Sequence, residues 1–341
     1  MKNKLILLFS IVLLSPYTIM AEKIHIQKTI QLGNIEQHIL ITGADKDAPI
    51  LLYLHGHGMP SMLFAHYTYN DPQSILHKNF IQVHWDQRGA GLSYRNRITK
   101  SQMNFDSYLQ DAHELTQYLK SKFNKEKIYL LCESWGSMLG LKLIQQYPED
   151  YHAYFGEGQS LNLIEAYQNA YDFAVNEANI QQNKKAIRQL SKTKVPTVQS
   201  SIKEIMNFSK TGMKWADIFI REKYPSMDLM KAFKESMKKA PEYKGLKNKL
   251  ALLKGMQFTQ KSTLEELIKV DLRNESKTYK VPIFLMMGKY DFLTPQVEAY
   301  FPKIEAPDKV LVIFENSGHV PSAEESELFE KTLLKLAFKN N

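Results

Sequence analysis

The sequence predicts an α/β fold: a mostly parallel central sheet flanked by helices, with an all-helical cap inserted before the last strands. Three observations predict it. Short, nearly continuous apolar runs recur in the first and last thirds of the chain, as expected for strands covered on both faces. Amphipathic segments of helical period separate them. Between about residues 160 and 270 helical periodicity continues without a convincing strand.

Residues 23–32 (KIHIQKTIQL) and 36–43 (EQHILITG) alternate in period two, like a half-exposed antiparallel pair. The runs at 49–56 (PILLYLHG), 80–89 (FIQVHWDQRG) and 127–134 (KIYLLCES) read as parallel strands. Between the last two, residues 106–123 place apolar residues at helical spacing and end on lysines, which suit a helix C-terminus. Further strands are expected at 152–159, 279–288 and 309–319, with a closing helix over about 323–338. An all-helical insertion of this kind covers the carboxyl edge of the sheet, where open α/β sheets bind ligands. It holds 20 Lys or Arg against 11 Asp or Glu, an excess larger than the +8 of the whole chain. The rest of the protein is therefore nearly neutral.

The first residues stand apart from this pattern. Lys2 and Lys4 precede an apolar run, Leu5 to Leu14, broken only by Ser10; Ser15-Pro16 follow, then the small Ala21. These are the parts of a secretory signal peptide, and the run is too short to span a bilayer. The expected organisation is a signal peptide at 1–21, a first core part at 22–159, the cap at 160–275 and a second core part at 276–341, in an exported protein. Cys132 is the only cysteine, so no intrachain disulfide forms. A chain of 341 residues has core enough without one. At the end of an apolar strand, a thiol reads as a small buried hydrophobe rather than a nucleophile.

The chemistry-bearing residues fall at strand ends. In IYLLCESWGSMLGLKLI (128–144), Ser134 sits on a strand-to-helix turn that lifts its hydroxyl clear of its neighbours. Such a turn needs small residues two before and two after; Gly136 fits fully, Cys132 roughly. The next backbone N–H, that of Trp135, points toward a developing oxyanion at a helix N-terminus. His55-Gly56-His57-Gly58 follows another strand, and the N–H of His57 or Gly58 can supply a second donor. The two histidines lack a nearby third ligand, so no metal is expected. Asp291 lies three residues past a strand, and His319 just past the final one. A serine hydroxyl is a poor nucleophile until a base takes its proton, and the imidazole needs a carboxylate to fix its tautomer. The chain order Ser, Asp, His meets that need.

These stretches (HGHGMP, DQRGAGLS, ESWGS, GKYDFLTP and SGHVP) resemble the motif series of the α/β-hydrolase superfamily, in its proline iminopeptidase-like branch. The resemblance runs from about Lys23 to the end and is loose in the cap. It implies the α/β-hydrolase fold, with Ser134 as nucleophile, His319 as base, Asp291 as its orienting acid, and the N–H groups of Trp135 and His57 as oxyanion donors. It also implies that Asp86 to Gly89 form a structural turn, and GEGQ at 156–159 is similar to a G-x-G-Q stretch ahead of the cap in related hydrolases. Two departures stand out: His57 and Gly58 occupy places usually held by glycine and proline, and Cys132 replaces the leading glycine of the elbow. A serine nucleophile argues against the dehalogenase and epoxide-hydrolase chemistry that this fold performs with aspartate.

Substrate class is less constrained. An iminopeptidase must hold a protonated N-terminus, for which Glu133 and Glu157, with Gln159 beside them, are the expected contacts; Glu177, Glu204 and Asp217 in the cap are further candidates. The basic cap favours instead a carboxylate-bearing or acyl-chain substrate, or loose attraction to an anionic envelope surface. Three readings follow: an exported aminopeptidase on a short-peptide substrate, which the resemblance favours; a carboxylesterase on a small-molecule ester; and a non-catalytic binding protein, which has no need of all three triad residues. No cofactor is expected, and no motif reads nucleic-acid grooves.

Overall fold

The computed structural model describes residues 23–61, 74–94, 97–224, 237, 238, 240 and 243–339; the signal peptide expected at 1–21 lies outside them. Eight strands form one sheet: β1 (Ile24–Leu32), β2 (Ile35–Gly43), β3 (Ile50–Leu54), β4 (Ile81–Asp86), β5 (Ile128–Glu133), β6 (Tyr151–Glu157), β7 (Ile283–Gly288) and β8 (Lys309–Phe314). Their order is β1-β2-β4-β3-β5-β6-β7-β8. β2 is antiparallel to β1 and β4, and every other pair is parallel. This is the fold that the sequence predicts.

The continuous apolar runs are explained by burial on both faces. Leu52, Leu54, Leu130, Cys132 and Tyr154 join the core on one face, with Leu115 and Leu119 of α2 (Phe105–Phe123) and Leu139 and Leu143 of α3 (Trp135–Gln146), after the short α1 (Ile75–Asn79). The intervening Leu51, Tyr53, Leu131 and Phe155 face the other way, onto Phe329 and Leu333. α2 begins where the Asn104 side chain accepts the Ser107 N–H and stops at Asn124, whose φ of 50° leaves the helix.

The cap leaves the sheet after β6. Its helices are α4 (Leu163–Ile180), α5 (Lys184–Leu190), α6 (Ile202–Phe208), α7 (Lys214–Lys223) and α8 (Leu246–Leu267), with a π-helical turn at Ser209–Met213 that the sequence did not suggest. Ala170, Ala174, Ala178, Trp215 and Phe219 pack into a small core of the cap's own. The two ends of the insertion are stitched together: Asn162 bridges Asp271, and the Leu272 N–H donates to Leu161 O at 3.0 Å. The chain then returns through β7, α9 (Thr294–Tyr300), β8, α10 (Pro321–Glu324) and α11 (Ser326–Ala337). Among the described residues no helix is long and apolar enough to cross a membrane.

The D-Q-R-G turn after β4 is built on a buried ion pair. Arg88 donates from Nε and Nη2 to the two oxygens of Asp111, each at 2.6 Å, and Gln37 adds a third bond to that carboxylate at 2.6 Å. Both partners are shut off from solvent. Breaking a buried pair by removing one member leaves an uncompensated charge, which costs about 3–5 kcal/mol. Asp111→Ala is therefore expected to lower unfolding free energy by about that much in a urea titration, with Arg88 left stranded.

Candidate active site

The elbow at Ser134 is the sharpest feature of the backbone. Ser134 has φ 54° and ψ −116°, a conformation that L-residues avoid and that persists only where neighbours enforce it. Two neighbours do so. The Ser134 N–H donates to Glu157 O at 3.0 Å, and the Ser137 N–H closes the first turn of α3 onto Ser134 O at 3.0 Å. Gly136 is obligatory because any Cβ there would collide with the Leu54 carbonyl of β3. Cys132 meets the opposite requirement: its sulfur lies where a side chain at Gly140 would come within 2.5 Å of it. Gly140 supplies the room that a glycine at position 132 would otherwise give. Cys132 is buried and its thiol is pushed well up by burial, so it is no nucleophile.

Asp291 and His319 meet as the strand ends suggest. His319 Nδ1 lies 2.9 Å from Asp291 Oδ2. A carboxylate only accepts, so Nδ1 carries a proton, and when the ring is neutral Nε2 is the acceptor, the tautomer a general base needs. The Leu293 N–H donates to the other oxygen of Asp291 at 3.0 Å, fixing the carboxylate. Gly158, at φ 50°, lets the backbone pass the imidazole; a Cβ would stand 3.0 Å from Nδ1 and 2.7 Å from His319 O. Burial alone would lower the His319 pKa, but Asp291, with the charges of Glu133 and Glu157, outweighs it and lifts it to about 9.

Ser134, Asp291 and His319 all line one pocket of about 280 Å³ beneath the cap. Its walls are mainly apolar, with Leu163, Tyr167, Met213, Ile220 and Phe292 among them. Among the described residues, every charged side chain lining it apart from His319 is acidic: Asp291, Asp217 from α7 and Glu324 from α10. Among the described residues, no lysine of the cap lines this wall. Glu324 accepts the Gly318 N–H at 2.6 Å, and burial raises its pKa even against that bond. Asp217 pairs with Arg221 one turn on, with 57% of its side chain exposed.

The loop after β3, from which an oxyanion donor is expected, departs from a plain glycine turn. Trp135 opens α3, so its N–H is one of the free donors at a helix N-terminus. Gly58 takes φ 69°, against the backbone of Met256 in α8. His57 Nε2 lies 2.5 Å from Thr263 Oγ1 of α8, and Thr263 donates its own proton to Thr259 O at 2.9 Å. His57 must therefore donate from Nε2, and burial lowers its pKa to about 4, which leaves the ring neutral with its proton there. His55 is neutral too, accepting the Gln87 N–H at 3.0 Å on Nε2. Neither histidine is arranged as a metal ligand, and no cluster that could hold a metal occurs among the described residues.

Three expected substrate contacts are used elsewhere. Glu133 is held by Tyr53 OH at 2.5 Å and the Gly56 N–H at 3.3 Å. Glu157 is fully buried and takes the Ser322 N–H at 2.7 Å. Gln159 is buried between Tyr154 OH at 2.6 Å and Ser160 O at 2.9 Å. None of the three lines the pocket. Being next to the nucleophile in sequence put them at the right edge, but strand alternation and the turn into the cap aim them into protein. Among the cap candidates, Glu177 pairs with Lys223 and Glu204 caps α6 through Ser201, while Asp217 does reach the pocket. Glu324 was missed; its one signal is its place five residues past His319, on the loop that turns back under the ring.

Comparison with known proteins agrees with this geometry. The family model described as "Serine aminopeptidase, S33" matches residues 45–326. The chain belongs to this family of α/β-hydrolases. Within it, the chain is 32% identical over 323 residues to the probable aminopeptidase YbaC of Bacillus subtilis, covering 93% of this chain and 97% of that protein. It is 24% identical over 326 residues to a putative proline iminopeptidase of Mycoplasma genitalium, covering 93% and 99%. The crystal structure of a Mycobacterium smegmatis proline iminopeptidase superposes with TM-score 0.64 at 17% identity, over 92% of this chain and 98% of that one, which speaks to the fold. As a member of the S33 family the protein is an enzyme of the serine-hydrolase type.

Two outcomes follow from the site. The His319 limb of kcat/KM is expected to rise with pH, with its midpoint near about 9 and its plateau above that, because the base form appears as pH passes a raised pKa; a limb complete by pH 7 would contradict the Asp291 pairing. Cys132→Ala is expected to keep turnover, whereas Gly136→Ala leaves no soluble, folded protein; expression followed by a standard hydrolase assay distinguishes them.

Proposed function

We propose that the protein is an aminopeptidase of the proline iminopeptidase type, acting through an acyl-enzyme on Ser134. The observation that carries the choice is the charge of the pocket: Asp217 and Glu324 flank an apolar wall beside Ser134 and His319, and among the described residues no lysine or arginine joins that lining. A small apolar or proline side chain suits the wall, and a free ammonium suits the carboxylates.

In this mechanism His319 Nε2 takes the Ser134 proton as the hydroxyl attacks the scissile carbonyl, and Asp291 stabilises the imidazolium. The oxyanion is met by the N–H of Trp135 and by an N–H of the His57-Gly58 loop. The imidazolium then protonates the leaving amine, and water attacks the acyl-serine by the same route in reverse. The apolar lining favours a second reading, carboxylester hydrolysis, which would use the same steps with an alkoxide leaving group. The N-terminal segment, with Lys2, Lys4 and the apolar run after them, supports export, so the substrate would be met outside the cytoplasm.

Alanine and proline p-nitroanilides with a free amine are expected to be cleaved, their N-blocked forms not, and Ser134→Ala to abolish the reaction. Asp217→Asn with Glu324→Gln should raise KM for the free-amine substrates about tenfold or more, while leaving p-nitrophenyl acetate hydrolysis within about threefold. Equal cleavage of blocked and free anilides would sink the amine assignment, and ester cleavage alone would favour the second reading.

A further inference from the structure

One buried acid takes no part in the chemistry yet touches both halves of it. Glu157 ends β6, where it is the register partner of Glu133 on β5, the residue just before the nucleophile. Its main-chain carbonyl receives the Ser134 N–H at 3.0 Å, one of the bonds that hold the strained elbow. Its side chain receives the Ser322 N–H at 2.7 Å, three residues past His319, and the Ser322 hydroxyl adds to that interaction. The next residue, Gly158, lies flat against the His319 ring. A single dipeptide thus spans from the nucleophile's backbone to the base's loop.

The state of that carboxyl follows from its surroundings. Its exposure is 0%, and its second oxygen has no hydrogen-bond partner. The charged and titratable groups that face it are Glu133 from β5, which repels a second negative charge, and His319 from the loop after β8. Asp291 and Glu324 face that same imidazole from β7's end and from α10. No lysine or arginine among the described residues is bonded to it. An isolated buried carboxylate beside another carboxylate is costly, and taking a proton removes the cost.

We propose that Glu157 is a positioning residue for His319: a carboxyl that works in its neutral form, clasping the strand end beneath the nucleophile to the histidine loop. Burial, then the charge of Glu133, raises its pKa to about 8. Below that pH it holds the loop without adding charge. Above it, ionisation places a negative charge near the imidazolium, favours that form and delays the appearance of the free base. The inference rests on the serine-hydrolase reading of Ser134 and His319 and adds a residue to it.

The test uses the full chain, with whichever p-nitrophenyl ester or p-nitroanilide the wild type cleaves in a Ser134-dependent manner. Glu157→Gln keeps the acceptor for Ser322 and cannot ionise. Its plateau kcat should stay within about threefold of wild type, with the His319 limb of the pH profile moved to lower pH by about half a unit or more. Glu157→Ala should lose about tenfold or more in kcat. Infrared difference spectra between neutral and alkaline pH should show a protonated-carboxyl C=O band in wild type that is absent in Glu157→Gln. Loss of kcat in the Gln variant as large as in the Ala variant would overturn the proposal. So would an unmoved limb or a missing band. If Glu157→Gln does not fold, Glu133→Gln carries the test: removing its charge should shift loss of the band to lower pH, and no shift overturns the proposal. Absence of any Ser134-dependent turnover would refute the hydrolase reading, while the infrared band would still report separately on Glu157.

Discussion

Everything at the site depends on one strained residue. Ser134 is held at positive φ by a backbone bond to Glu157 and by the closing turn of α3, and the strain is bearable because Gly136 leaves the Leu54 carbonyl undisturbed. The sheet and its two apolar faces make the platform rigid enough to impose that conformation. The same geometry explains Cys132. The elbow demands a small volume between β5 and α3, and the thiol with Gly140 divides it as well as a leading glycine would.

Around the elbow, three loops that are far apart in sequence are tied to one another. Asp291 sets the His319 tautomer, Gly158 lets β6 pass the ring, and the neutral His57 ties the loop after β3 to Thr263 of the cap. The cap is therefore bonded directly to the loop after β3. Among the described residues none of its lysines or arginines lines the pocket, whose wall carries Asp217 and Glu324 instead. Net charge sums the whole cap, whereas the wall beside Ser134 carries Asp217 and Glu324.

Most of the fold was legible, because strands buried on both faces leave apolar runs and their ends are marked by Gly, Asp, Ser and His. Ser134, Asp291 and His319 stood out for that reason, and the structure brings all three to one pocket. What the sequence hid depends on direction and on distant meetings. Glu133, Glu157 and Gln159 sit at the right edge, but their orientation is set by strand alternation and by Tyr53, Ser322 and Tyr154. The pairing of His57 with Thr263 joins residues 206 apart in the chain. The π-helical turn at Ser209–Met213 leaves no periodic mark to read.

The most direct test of this account is to map the serine that a fluorophosphonate labels. The account predicts a single adduct on the peptide containing Ser134, formed in wild type and Cys132→Ala, and slowed by orders of magnitude in His319→Ala and Asp291→Asn. An adduct on Ser137 or Ser160, or equal labelling without His319, would contradict it.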